Sequence, residues 1–152
     1  LQLDPGYDIL TLGAAATFHD LGKYYTPIEI LQKPGRLTPE EFSIIKLHPQ
    51  ASWQLLMESH GEIIAEIALQ HHERMDGSGY PRGLHADAIR MDARIIAVAD
   101  VFDAITSKRS YNNPVSYEQA LSIMEQEQQL YDSDVLHALH ILVREKRLSI
   151  SI

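Results

Sequence analysis

The sequence predicts an all-α fold, a single helical domain, and three observations carry that prediction. Apolar residues recur at helical spacing in segment after segment, with no convincing period-2 alternation. Cap-like strings built on Thr, Ser or Asp precede most of these segments. No internal repeat, low-complexity tract or linker divides the 152 residues, a length that suits one domain with an ordinary core.

Taken in order, Leu10 to Phe18 is alanine-rich and apolar and reads as a buried helix ending near "HDLGK". "TPIE" offers Thr26 as N-cap, Pro27 at the first helical position and Glu29 closing a capping box, which starts a short helix. "KPGR" is a turn. "TPEE" repeats the start signal at Thr38, Pro39 and Glu41, opening a helix that must break or kink before Pro49. The helix resumes from Pro49 to Glu58 and ends at His60 and Gly61. Glu62 to Glu73 follows, with Ile63, Ile64, Ile67 and Ala68 on its buried side. A polar, glycine-containing loop runs to about Met91. Asp92 then caps the apolar helix "ARIIAVADVFDAITSKR", Ser116 with Gln119 caps another, and Ser133 opens the last, "DVLHALHILVREK".

Composition narrows the function classes. Hydrophobic content of 45% and charged content of 22% are typical of globular proteins and do not suggest disorder. A formal charge of −8 disfavours a nucleic-acid polymer as partner, since binding to polyanions needs clustered Lys and Arg. It leaves room for a small phosphate ligand where metal ions supply positive charge. No apolar run is long enough to cross a bilayer, and no secretory signal stands at the start. With no cysteine, any metal must be held by nitrogen and oxygen, which fits a cytoplasmic location. A start at Leu1, not Met, reads as a fragment or processed chain with residues upstream.

The stretch Gln70 to Gly83, "QHHERMDGSGYPRG", poses the central question: a ligand cluster, or a solvated helix end followed by a turn. Asp100 lies inside "IIAVADVFDAI" with apolar neighbours on most sides, so its carboxylate must be paired, hydrogen-bonded or metal-bound. His19 and Asp20 raise the same issue after "LGAAATF". His48 sits at a Pro-forced helix break, and His71 and His72 close a helix. All are good ligands for divalent metals. A polynuclear site, with one carboxylate bridging two cations, accounts for the set economically and would suit phosphoryl chemistry. Each residue also has a plainer reading. His48 alone is more often a helix-end histidine, and Tyr80 a turn aromatic. Asp103 is expected beside the ligands or paired with Lys23. His60, His85, His137 and His140 are expected at the surface.

Taken together, "HDLGK" at 19–23, "ILQKPGRLTPEE" at 30–41, "HP" at 48–49, "HHERMDGSGYPRGL" at 71–84 and "ARIIAVADVFDAITSKRSY" at 93–111 resemble the HD-GYP family, a branch of the HD-domain metal-dependent phosphohydrolases. The resemblance covers about Leu10 to Tyr131. It implies a helical domain that hydrolyses cyclic di-GMP to pGpG or GMP at a centre of two or three divalent metal ions, iron or manganese. It assigns His19, Asp20, His48, His71, His72 and Asp100 as metal ligands, with Asp20 bridging and catalytic. Lys23 and Arg109 match basic residues that contact substrate phosphates, and Gly79, Tyr80 and Pro81 match the loop beside the site. Implied partners are diguanylate cyclase domains and an upstream regulatory domain. Two departures stand out. Members usually carry an earlier helix with a further metal-binding histidine and, in trinuclear members, a glutamate, and this chain starts too late to contain it. Asn112 stands where many members have a basic residue that helps hold a guanine. The alternatives are a silent metal- and nucleotide-binding or interaction module of the same fold, and a wider-superfamily hydrolase of another nucleotide, against which "GSGYP" argues.

Overall fold

Local chemistry sets the helix ends, and the helix ends set the site. The computed structural model describes residues 8–107 and 115–148, so Arg109 and Asn112 lie outside the described residues. In chain order the helices are α1 (Ile9–Phe18), α2 (Ile28–Leu31), α3 (Pro39–Ile45), α4 (His48–His60), α5 (Glu62–Gln70), α6 (Met91–Thr106), α7 (Tyr117–Gln126) and α8 (Ser133–Arg144). A 3-10 turn at Leu21–Tyr25 follows α1. Among the described residues there is no strand, only an isolated antiparallel bridge between Asp76 and His85. No helix among them is long and apolar enough to cross a membrane.

Two capping boxes form as the sequence predicts. Thr38 and Glu41 bond each other's backbone N–H groups at the start of α3, with Pro39 in the first turn, and Ser116 and Gln119 do the same for α7. Gly61 ends α4 at φ +83°, a left-handed conformation that favours glycine. Three expectations are corrected. Thr26 makes no capping box with Glu29: it is buried, its N–H goes back to Lys23, and Pro27 occupies the cap position without a side-chain bond. Asp92 lies inside the first turn of α6, not at its cap, accepting from Ala93 N and pairing with Arg90. α5 stops at Gln70, short of Glu73, because the carbonyls of His71 and His72 turn to Arg74 and to the N–H of Tyr80.

α4 and α5 form an antiparallel pair around Leu56, Ala65 and Ala68, with Phe18, Trp53 and Met57 packed alongside. Ile67 of α5 meets Ala15 of α1 and Ala93 and Ile96 of α6 in a second cluster. The later part of α6 turns Val98 and Phe102 into a third, built on Leu121 and Met124 of α7 and Leu136, Leu139 and Val143 of α8. α6 therefore belongs to both halves, and its Asp100 is carried between two packed cores. The apolar face predicted for α5 holds for Ile64, Ile67 and Ala68, whereas Ile63 is 54% exposed.

Candidate metal centre

Three histidines reach the centre by the same local device. His19 is the C-cap of α1, His48 the first residue of α4, and His71 the C-cap of α5. At each, the backbone leaves or enters the helix, and the ring folds back to the carbonyl three residues earlier. Nδ1 of His19 lies 2.8 Å from Ala16 O, Nδ1 of His48 2.7 Å from Ile45 O, and Nδ1 of His71 2.6 Å from Ala68 O. A carbonyl only accepts, so Nδ1 carries a proton, and in the neutral form of each ring Nε2 is left with a lone pair. A backbone partner that fixes tautomer and ring angle in this way is a recurrent feature of metal-bound imidazoles.

The Nε2 atoms converge on one carboxylate. Asp20 Oδ1 is 3.1 Å from His48 Nε2 and 3.7 Å from His71 Nε2, and its Oδ2 is 3.5 Å from His19 Nε2. Single donor atoms of Asp20, His48, His71 and His72 all lie within 4.8 Å of one another. His19 Nε2 is also 3.7 Å from Asp100 Oδ1, so the two carboxylates flank it. The protein's own groups do not satisfy this arrangement. His19 Nε2 and Asp20 Oδ1 are buried without a hydrogen bond. His48 Nε2 and His71 Nε2 face each other at 3.3 Å, where two lone pairs repel unless a cation or an added proton lies between them. The donor set, all nitrogen and oxygen, fits divalent first-row metals.

Electrostatics point the same way. Burial opposes ionisation of Asp20, but its contacts with His48 and Lys23 outweigh that and hold it well below the usual carboxylate range. Asp100 is also lowered, with burial opposing and His19 prevailing. His19 is raised, the two carboxylates overcoming its burial. Burial drives His71 down to about 3 and, with the neighbouring His71, pushes His72 far below the ordinary imidazole value. The centre thus sets the ionised carboxylates of Asp20 and Asp100 beside the neutral imidazoles of His71 and His72, the protonation states that bind cations.

Ser52 and Gly22 couple the segments beneath it. Ser52 Oγ donates to His19 O at 2.8 Å and accepts from Gly22 N at 2.8 Å, joining α4 to the turn after α1. A Cβ on Gly22 would lie 2.1 Å from His48 O, so only glycine lets the "HDLGK" turn sit against α4.

The loop after α5 forms one wall. Tyr80 stacks on His72, with ring centroids 4.7 Å apart and planes 27° apart, and burial pushes its hydroxyl up to about 12. Gly79 passes so close to the backbone that an added Cβ would come within 2.5 Å of Glu73 Cα and His72 O. Pro81 follows through a cis peptide bond. Glu73, which sequence reasoning assigned no role, is 2% exposed and accepts from the N–H groups of Arg82 at 2.7 Å and Leu84 at 2.9 Å. It pins the loop under the centre. Lys23 Nζ lies 2.5 Å from Asp20 Oδ2. Asp103 does not pair with Lys23 and faces solvent. His60, His85 and His137 are exposed as expected, and His140 pairs with Glu125 at 3.2 Å.

Helix ends that converge histidines on an aspartate make a candidate metal centre in a helical domain of the HD type. A family model for the HD domain matches residues 2–135, and the chain belongs to that family. It is 48% identical over 135 residues to the cyclic di-GMP phosphodiesterase of Thermotoga maritima, covering 86% of this chain and 37% of that protein. It is 47% identical over 110 residues to the 3'3'-cGAMP-specific phosphodiesterase 1 of Vibrio cholerae, covering 72% of this chain and 26% of that one. Among solved structures, Bd1817, a HDG"Y"P protein from Bdellovibrio bacteriovorus, shares the fold with a TM-score of 0.71 at 21% identity, over 88% of this chain and 43% of its own. The chain thus spans less than half the length of each.

Proposed function

We propose that this chain is the hydrolytic domain of a metal-dependent phosphodiesterase that opens cyclic di-GMP to pGpG or GMP. The observation that carries the proposal is the shared orientation of His19, His48 and His71, each locked at Nδ1 by a carbonyl so that Nε2 faces Asp20. The name of the Thermotoga relative supports the substrate class. In this reading His19, Asp20, His48, His71, His72 and Asp100 would hold two or three divalent cations, iron or manganese, with Asp20, on which the histidines converge, as the central carboxylate ligand. Bound there, such cations supply charge to the nonbridging phosphate oxygens and a nucleophile at neutral pH. Lys23 keeps Asp20 ionised and presents an ammonium to the scissile phosphate. Arg109 adds a second phosphate contact, and Gly79, Tyr80 and Pro81 wall the pocket. Tyr80 keeps its proton at physiological pH and serves as a neutral surface. The proposal extends to an upstream regulatory domain and diguanylate cyclase domains as partners.

The test is hydrolysis by the Mn2+-loaded chain of cyclic di-GMP and 3'3'-cGAMP side by side, the second because a Vibrio relative is named for it. We expect cyclic di-GMP turnover, lost by more than about 100-fold together with bound metal in His71→Ala, at near-unchanged helical content. Metal retained with no turnover of either nucleotide would contradict the proposal and mark a binding module. Preference for 3'3'-cGAMP would overturn the substrate assignment alone.

A further inference from the structure

One cation beside the centre is held in place without being neutralised. Lys46 caps the C-terminus of α3, two residues before His48. Its Nζ lies 4.8 Å from the centroid of Phe42, one turn earlier on the same helix, and 5.2 Å from that of Tyr80. Phe42 and Tyr80 meet edge to face at 6.4 Å, and Tyr80 stacks in turn on His72. Aromatic faces attract an ammonium without cancelling its charge. Among the described residues no carboxylate pairs with Lys46. Among the described residues, the cations Lys23, Arg82 and Arg74 are engaged: Lys23 on Asp20, Arg82 on Glu66, and Arg74 on the carbonyls of His71 and Glu73. Phe42 is 43% exposed, so the platform opens to solvent while its inner end touches a residue of the centre.

We propose that Lys46, steadied by Phe42 and Tyr80, binds the second phosphate of a cyclic dinucleotide whose first phosphate lies at the metal centre. This rests on the phosphodiesterase reading above and names a residue for it. A cyclic dinucleotide carries two anionic phosphates, and a protein of formal charge −8 must compensate the one that does not react. An ammonium one ring removed from His72 supplies that compensation at the rim. A substrate with a single phosphate has nothing to place there.

The experiment compares cyclic di-GMP with bis(p-nitrophenyl) phosphate, a diester with one phosphate, in the Mn2+-loaded wild type, Lys46→Ala and Lys46→Arg. We expect Lys46→Ala to raise KM for cyclic di-GMP about tenfold, the size of one charge-assisted hydrogen bond at an exposed rim, with kcat falling less. Its loss in kcat/KM on the small diester should be several-fold smaller, and Lys46→Arg should recover most of the KM. Equal losses on the two substrates, or an unaltered KM, would overturn the assignment while leaving the phosphodiesterase reading intact. A wild type that cleaves the small diester and no cyclic dinucleotide would overturn that reading, and this proposal with it. If neither compound turns over, calorimetric binding of cyclic di-GMP decides: affinity about tenfold weaker in Lys46→Ala supports the assignment, and equal affinity ends it.

Discussion

Ser52 shows how much of this centre rests on a side chain that supplies no candidate ligand atom. Its hydroxyl satisfies Gly22 N and His19 O at once, both beneath the centre. Ser52→Ala therefore leaves a buried N–H without a partner, at a cost of about 1–3 kcal/mol. We expect that loss in the urea midpoint, together with weaker metal retention, because Asp20 and His48 sit on the segments Ser52 joins. A variant with wild-type stability would show the link to be dispensable. Nothing in the string "ASWQ" signals this role, since a mid-helix serine carries no pattern. His19, Asp20, His48, His71, His72 and Asp100 are legible for the opposite reason: charge and imidazole at helix ends or in apolar runs demand explanation. Asp103 misled because proximity in sequence to Asp100 says little about direction, and it faces water.

Among the elements, α3 and the break after it do the aiming. The Thr38–Glu41 box starts the helix, Glu41 also pairs with Lys33 at 2.6 Å, and three residues past the helix end His48 is delivered. The Lys33 ammonium and the Thr38 N–H hold the Glu41 carboxyl below its ordinary value near 4.5. A lowered carboxylate pKa means stabilisation present above 4.5 and lost as pH falls through the folded value. Glu41→Gln keeps the cap geometry but lacks this titration. The gap between wild-type and variant denaturation midpoints should therefore be small at pH 7 and close below pH 4.5. A gap that widens on acidification would contradict the assignment. At this scale the capping boxes at Thr38 and Ser116 were readable because both partners lie three residues apart. The box at Thr26 failed because tertiary burial claimed that residue first. The Glu73 clamp was unreadable because its partners, the N–H groups of Arg82 and Leu84, are nine and eleven residues away.

At the scale of the molecule, the all-α class follows from helical periodicity, and the division into packed cores joined by α6 does not. Periodicity marks an apolar face without naming its partner, so the double use of α6, toward α5 early and toward α7 and α8 late, appears only once the helices are packed. That packing makes Asp100 a fixed point opposite the histidines. The central claim is that this frame converges its imidazoles and carboxylates on bound cations. Anomalous diffraction at the manganese edge, from crystals of the chain grown with Mn2+, tests it most directly. The account predicts peaks within coordination distance of Asp20 and of the Nε2 atoms of His48 and His71. A centre free of anomalous signal, with those Nε2 atoms bonded to protein groups or turned away from Asp20, would contradict it.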